Sequence, residues 1–203
     1  MNDWFRNAEW NEEIAATFEA RLSRARQKAE YLNIQGYMLL ATLPAIAGEL
    51  LRRAIALDDP GQTARACLYL GTALAGTGDL DGAIAALEDA MEAEQRHPMH
   101  RTAAYLDQAL LIALARRSDL YDVALKRIES ERVLPFADQQ ISALIAQALI
   151  RGARGEDVGS MAAAALIALG ASDGDSGTLP GFMSVDRLRR RLEALTYEPK
   201  NAV

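Results

Sequence analysis

Between Ala64 and His97 the chain sets Cys67, Leu70, Gly71 and Leu74 about one helical turn apart, breaks at Gly76-Thr77-Gly78-Asp79, and resumes with Ala83, Leu87 and Ala90. Helical periodicity on both sides of a glycine-aspartate turn predicts two antiparallel helices packed face to face. Small residues at Gly71, Ala83 and Ala90 let the two helices approach closely, while Leu70, Leu74 and Leu87 fill the space beside them. Composition points the same way. Alanine makes up about a fifth of the 203 residues and valine occurs only at Val123, Val133, Val158, Val185 and Val203, too few β-branched residues for a substantial sheet. The expected class is all-α.

The order of a leucine-glycine pair, a Gly-Asp turn and then Ala-x-x-x-Leu-x-x-Ala resembles the tetratricopeptide repeat (TPR) family, whose unit is 34 residues long. Cys67 stands where that family usually has Trp, Leu74 where it usually has Tyr, and the terminal proline comes slightly late, at Pro98. The pattern recurs upstream, with Leu32, Gly36 and Leu39 for the first helix, Ala47, Leu51 and Ala54 for the second, and Pro60 at the close. The turn between them, around Leu43-Pro44, is one residue shorter than its counterpart. Downstream, Ser118-Asp119-Leu120 echoes Gly78-Asp79-Leu80, with helices expected from about Met99 to Ala115 and Leu120 to Glu131, ended by Pro135 and lacking the diagnostic glycine. A fourth, degenerate pair is expected at about Phe136 to Arg151 and Asp157 to Leu169. The resemblance spans about residues 29 to 131 and implies an α-α superhelix, a TPR-like solenoid of hairpins whose usual work is protein binding.

The ends of the chain are read from caps and stripes. Trp10, Ile14, Phe18, Leu22 and Ala25 form an apolar stripe that continues through Ala29 and Leu32 without a clear turn signal. Either one helix runs from about Trp10 to Ala41, or it breaks near Arg26 to Ala29; a break is preferred because a stacked solenoid needs its first face covered. Trp4 and Phe5 either staple that helix or enter a partner's pocket. Asp59-Pro60-Gly61-Gln62 offers an N-cap acceptor, a proline at the first helical position and a capping-box glutamine for a helix from about Thr63. Residues 171–183 read as a linker, and Ser184 can cap a final helix with Val185, Leu188, Leu192 and Leu195 on one stripe. The expected division is therefore an N-terminal helix over 1–28, a solenoid over 29–170, the linker, and a capping helix and tail over 184–203.

Composition also excludes function classes. No apolar run approaches the roughly 18 residues of a membrane span, the longest being Met161 to Leu169, and Met1-Asn2-Asp3-Trp4 lacks the order of a signal peptide. A cytoplasmic protein is expected. A formal charge of −6 argues against nonspecific nucleic-acid binding. Cys67 has no second cysteine to pair with and suits core packing. His97 and His100, near Glu92 and Glu94, lack a third metal ligand at a defined spacing. Gly174-Asp175-Ser176-Gly177 matches the tetrapeptide around a serine-protease nucleophile but falls in the linker of a helical chain. Asp173 and Asp175 suggest a calcium loop whose closing position, Ser184, is not acidic. No metal, cofactor or catalytic residue is expected.

The resemblance implies a concave face lined by the first helix of each repeat. By that registration its residues are Asn33 and Tyr37, then Arg65, Leu68 and Thr72, then Tyr105, Asp107, Gln108 and Arg116, and finally Gln147 and Arg151. Tyrosines, arginines and amides suit a peptide backbone or carboxylates. Asp107 and Gln108, on a helix apolar nearly all round, are either groove residues or buried with a hydrogen-bonding partner. Arg187, Arg189, Arg190 and Arg191 face away from the leucine stripe, as a solvated capping face or as a dock for an acidic partner or nucleic acid. The expected function is a noncatalytic adaptor binding a partner protein or an acidic peptide. An immunity- or antitoxin-like inhibitor, a regulator acting on nucleic acid through Arg187 to Arg191, an enzyme resting on Asp107 with His97 and His100, and a homodimer through the terminal leucine stripe are the alternatives.

Overall fold

The computed structural model describes residues 3–130, 137–171 and 184–196, and the chain divides into two compact units, 1–104 and 105–203. The regular structure of the described residues is entirely helical. The division falls inside the span expected to be one solenoid, so each unit is described by itself.

The first unit runs through α1 (Glu12–Leu22), α2 (Lys28–Leu39), α3 (Pro44–Ile55), α4 (Thr63–Gly76) and α5 (Leu80–Arg96). α2 lies along α3 and α4 along α5, and the two hairpins stack mainly through α3 on α4, with a smaller contact of α2 on α4. Both hairpins close on the same contact. A Cβ built on Gly36 would stand 2.8 Å from Leu51 Cγ, and one built on Gly71 would stand 2.8 Å from Leu87 Cγ. Glycine in mid-helix costs about 1 kcal/mol relative to alanine, and here that cost lets a leucine of the paired helix seat directly on the backbone. Ala47, Ala54, Ala83 and Ala90 are all buried. Around them Phe18, Leu22, Leu32, Leu39, Leu50, Leu51 and Leu70 make a continuous core from α1 to α4.

Local chemistry accounts for the boundaries. α4 ends as Gly78 N–H returns to Ala75 O and Asp79 N–H to Leu74 O, with Gly78 at φ +86°, the paired bonds of a left-handed helix stop. Asp79 then accepts from Gly82 N–H at 2.9 Å and starts α5. α4 begins at Thr63 as expected, but by another device. Asp59 Oδ1 accepts from Gly61 N–H, Pro60 lies in the turn, and Gln62 makes no capping-box bond because its side chain accepts from Asn33.

The apolar stripe at the N-terminus breaks between Leu22 and Lys28, giving two helices. Trp4 and Phe5 staple the entry. Trp4 stacks on Phe18 of α1 and Tyr31 of α2 with centroids 5.3 and 5.0 Å apart, and Phe5 meets Tyr31 at 4.8 Å. Behind them the wholly buried Gln35 side chain accepts from Asn7 N–H at 3.0 Å and donates to Asn7 O at 2.8 Å. One glutamine thus satisfies both backbone groups of a residue 28 positions away and ties the entry segment to α2.

The second unit runs through α6 (Ala104–Ala115), a 3-10 turn (Ser118–Leu120), α7 (Tyr121–Ser130), α8 (Ala137–Ala153), α9 (Gly159–Ala171) and α10 (Val185–Thr196). α8 packs on α9 and α7, and α10 lies across α9 and α8. Ser184 Oγ accepts from Arg187 N–H at 3.4 Å and caps α10 as expected. Leu188 and Leu192 are buried within this unit, and Leu195 closes over Gly152. The stripe proposed for a second copy of the chain is therefore used internally, because it covers α8 and α9. Most of the linker, with Gly174-Asp175-Ser176-Gly177, lies outside the described residues.

Candidate functional site

Side-chain environments divide the residues expected in the groove into exposed and structural sets. In the first unit Tyr37 is 54% exposed and Arg65 is also exposed. They project from α2 and α4, the first helices of the stacked hairpins, and the Tyr37 ring meets the half-buried Tyr69 ring at 5.0 Å. Burial pushes the Tyr69 hydroxyl above its ordinary range, opposed by the neighbouring Arg65 charge. Tyr37, Tyr69 and Arg65 therefore share one patch. Tyr69 is the member that sequence reasoning missed, although its place four residues after Arg65 puts both on one face of α4.

Asn33, Thr72 and Gln108, expected on the groove face, are buried. Asn33 is 1% exposed and donates through Nδ2 to Gln62 O and Gln62 Oε1, both at 3.1 Å, fastening α2 to the start of α4. Thr72 is buried with its hydroxyl turned back to Leu68 O, and Leu68 itself is half-buried. These side chains lie one turn from the packing set, as a groove residue should, but the start of α4 takes the Asn33 Nδ2 and the helix itself takes the Thr72 hydroxyl. Gln108 is buried in the second unit and accepts from Arg127 of α7, which is the structural role of the two weighed for it.

In the second unit Tyr105 and Gln147 are half-buried. Arg151 is committed to structure, paired with Glu129 at 3.2 Å and Glu156 at 3.7 Å. Asp107 is half-buried, and burial pushes its carboxyl up to about 7. Its carboxylate accepts no hydrogen bond among the described residues. Arg116 is exposed and adopts a left-handed backbone, φ +54°. The terminal arginines are not equivalent. Arg187, Arg189 and Arg190 are exposed, whereas Arg191 reaches the last turn of α6 and donates to Leu114 O at 3.3 Å and Ala113 O at 3.5 Å, a cation on the negative end of a helix.

Among the described residues no three His, Cys, Asp or Glu side chains converge as metal ligands. Cys67 is buried, and desolvation pushes its thiol up to about 11, away from the thiolate form that reacts or binds metal. No helix among the described residues is long and apolar enough to cross a membrane. No family model, curated protein or solved structure matches the chain.

Proposed function

We propose that the chain is a noncatalytic, cytoplasmic interaction protein whose first unit stacks two TPR-like repeats and presents the α2 and α4 face to an acidic segment of a partner protein. The observation that carries this reading is the patch of Tyr37, Tyr69 and Arg65. It joins two aromatic rings to a cation on the first helices of successive hairpins, and no ion pair engages the Arg65 side chain among the described residues. Aromatic and arginine side chains contribute binding energy out of proportion to their number, and an arginine fork recognises carboxylates in two-point geometry. The glycine-under-leucine contact repeated at Gly36 and Gly71 supports the repeat assignment.

The test is affinity capture from the native cell with the wild-type chain and a Tyr37→Ala, Arg65→Glu variant. A partner held by the wild type should be lost from the variant, while helicity and melting temperature stay within the small range of surface substitutions. Retention of the same partner by the variant refutes the assignment of this face.

A further inference from the structure

At the end of α6, Arg117 N–H returns to Ile112 O and Arg116 N–H to Ala113 O, the bonding by which a helix stops in a left-handed residue. Glycine fills that position after α4, at Gly78, and after α8, at Gly155. After α6 it is Arg116. A Cβ is disfavoured in this conformation, so the backbone has no use for arginine here and the side chain it projects is the property to explain.

Two further arginines lie on α10, and one of them reaches this helix end. Arg191 bonds Ala113 O and Leu114 O, immediately before Arg116, and Arg187 stands one turn earlier on α10. Burial, followed by the charges of Arg116 and Arg187, holds the Arg191 guanidinium below its ordinary range. Three carboxylates of this unit pair with other arginines: Asp119 with Arg117, Asp122 with Arg154 and Asp186 with Arg189. The side chains of Arg116 and Arg187 have no ion-pair partner among the described residues.

We propose that Arg116, Arg187 and Arg191 form a binding site for a phosphate dianion. A single carboxylate matches one guanidinium fork, whereas Arg116 and Arg187 offer two beside the carbonyl-bonded Arg191. A phosphate offers more acceptor oxygens and about two charges. Three arginines on a chain of net charge −6 fit one phosphate group rather than the phosphate ladder of a nucleic acid. This site is independent of the α2 and α4 face.

The test is calorimetric titration of the full chain with inorganic phosphate, O-phosphoserine and acetate at matched ionic strength. Either phosphate should bind at least about tenfold more tightly than acetate, and Arg187→Gln and Arg116→Gly should each weaken that binding about tenfold or more. Arg116→Gly also separates binding from folding: relieved of its left-handed strain, this variant should melt higher in chloride buffer while binding phosphate less well. Tighter binding of O-phosphoserine than of inorganic phosphate would identify a phosphorylated residue as the source of the group, and the reverse order a free ligand. Acetate binding as tight as phosphate, no phosphate binding by the wild type, or unchanged binding in both variants would overturn the site. So would a short DNA duplex that binds more tightly than phosphate with a steep salt dependence.

Discussion

Replacing Gly71 by alanine sets two known effects against each other. Alanine in a helix interior is favoured over glycine by about 1 kcal/mol. The added Cβ would lie 2.8 Å from Leu87 Cγ, 3.0 Å from Leu87 Cδ2 and 3.3 Å from Ala83 O. Leu87 is wholly buried, so it cannot swing into solvent, and the Ala83 carbonyl belongs to the backbone of α5. Overpacking of this kind costs about 1–3 kcal/mol, and contact with a fixed leucine and a backbone oxygen argues for the upper part of that range. The net expectation is a loss of about 1–2 kcal/mol. Gly48 of α3 is the control, because its Cβ would meet Arg52 Nη1 at 3.4 Å, Leu70 Cδ1 at 3.7 Å and Ala73 Cβ at 3.9 Å. Those are a flexible charged tip and ordinary van der Waals neighbours, so Gly48→Ala should stabilise by up to about 1 kcal/mol. Urea unfolding of the full chain, followed by circular dichroism, reads both. Leu87→Ala should relieve the Gly71→Ala penalty, so the double variant is less destabilised than the sum of the singles. If Gly71→Ala stabilises as much as Gly48→Ala, the leucine does not sit on the glycine and the hairpin packing described above is wrong.

Other consequences concern polar and titratable groups. Gln35→Ala removes both side-chain bonds to the Asn7 backbone and should cost about 1–3 kcal/mol; amide exchange at Asn7 should accelerate, and unchanged protection there would contradict the clamp. Asp107 has a folded-state pKa of about 7, above the ordinary 3.8, so the folded chain holds its proton more tightly. The stability this contributes is fully present below about pH 4 and is lost as pH rises through 7. Asp107→Asn should therefore be nearly neutral at pH 4 and stabilising at pH 8, and urea unfolding with the same difference at both values would refute the burial of this carboxyl. The buried Cys67 thiol, raised to about 11, should react with an aromatic disulfide reagent at pH 8 only as the fold opens. Modification as fast as that of a free thiol would place it at the surface.

How much of this could be read beforehand follows from how far each interaction reaches along the chain. The α4–α5 hairpin was legible because its signals lie within a turn or two of the residues they govern: Gly78 as a left-handed stop, Asp79 as a cap, Gly71 as a small residue facing a leucine. Gln35 gave no signal. Nothing near it announces that the backbone of Asn7 will arrive to be bound. Helical register alone puts Asn33 on the groove face, and register cannot reveal that Gln62 accepts from its amide nitrogen. Tyr69 carries no signal of its own in the sequence, since the ring that meets it comes from Tyr37 of another helix. Arg191 read as part of a solvated run, yet it bonds carbonyls more than 70 residues earlier.

The sequence by itself determined that this chain is helical, where most of its helices begin and end, and that two glycines mark close helix contacts. Periodicity, capping and backbone preference act over a few residues and are written locally. Only the tertiary structure decided which polar side chains are buried bonds and which remain exposed, and that a terminal arginine meets the end of α6. Burial and charge depend on what distant segments bring to a residue, and residue type and spacing carry no record of that arrival.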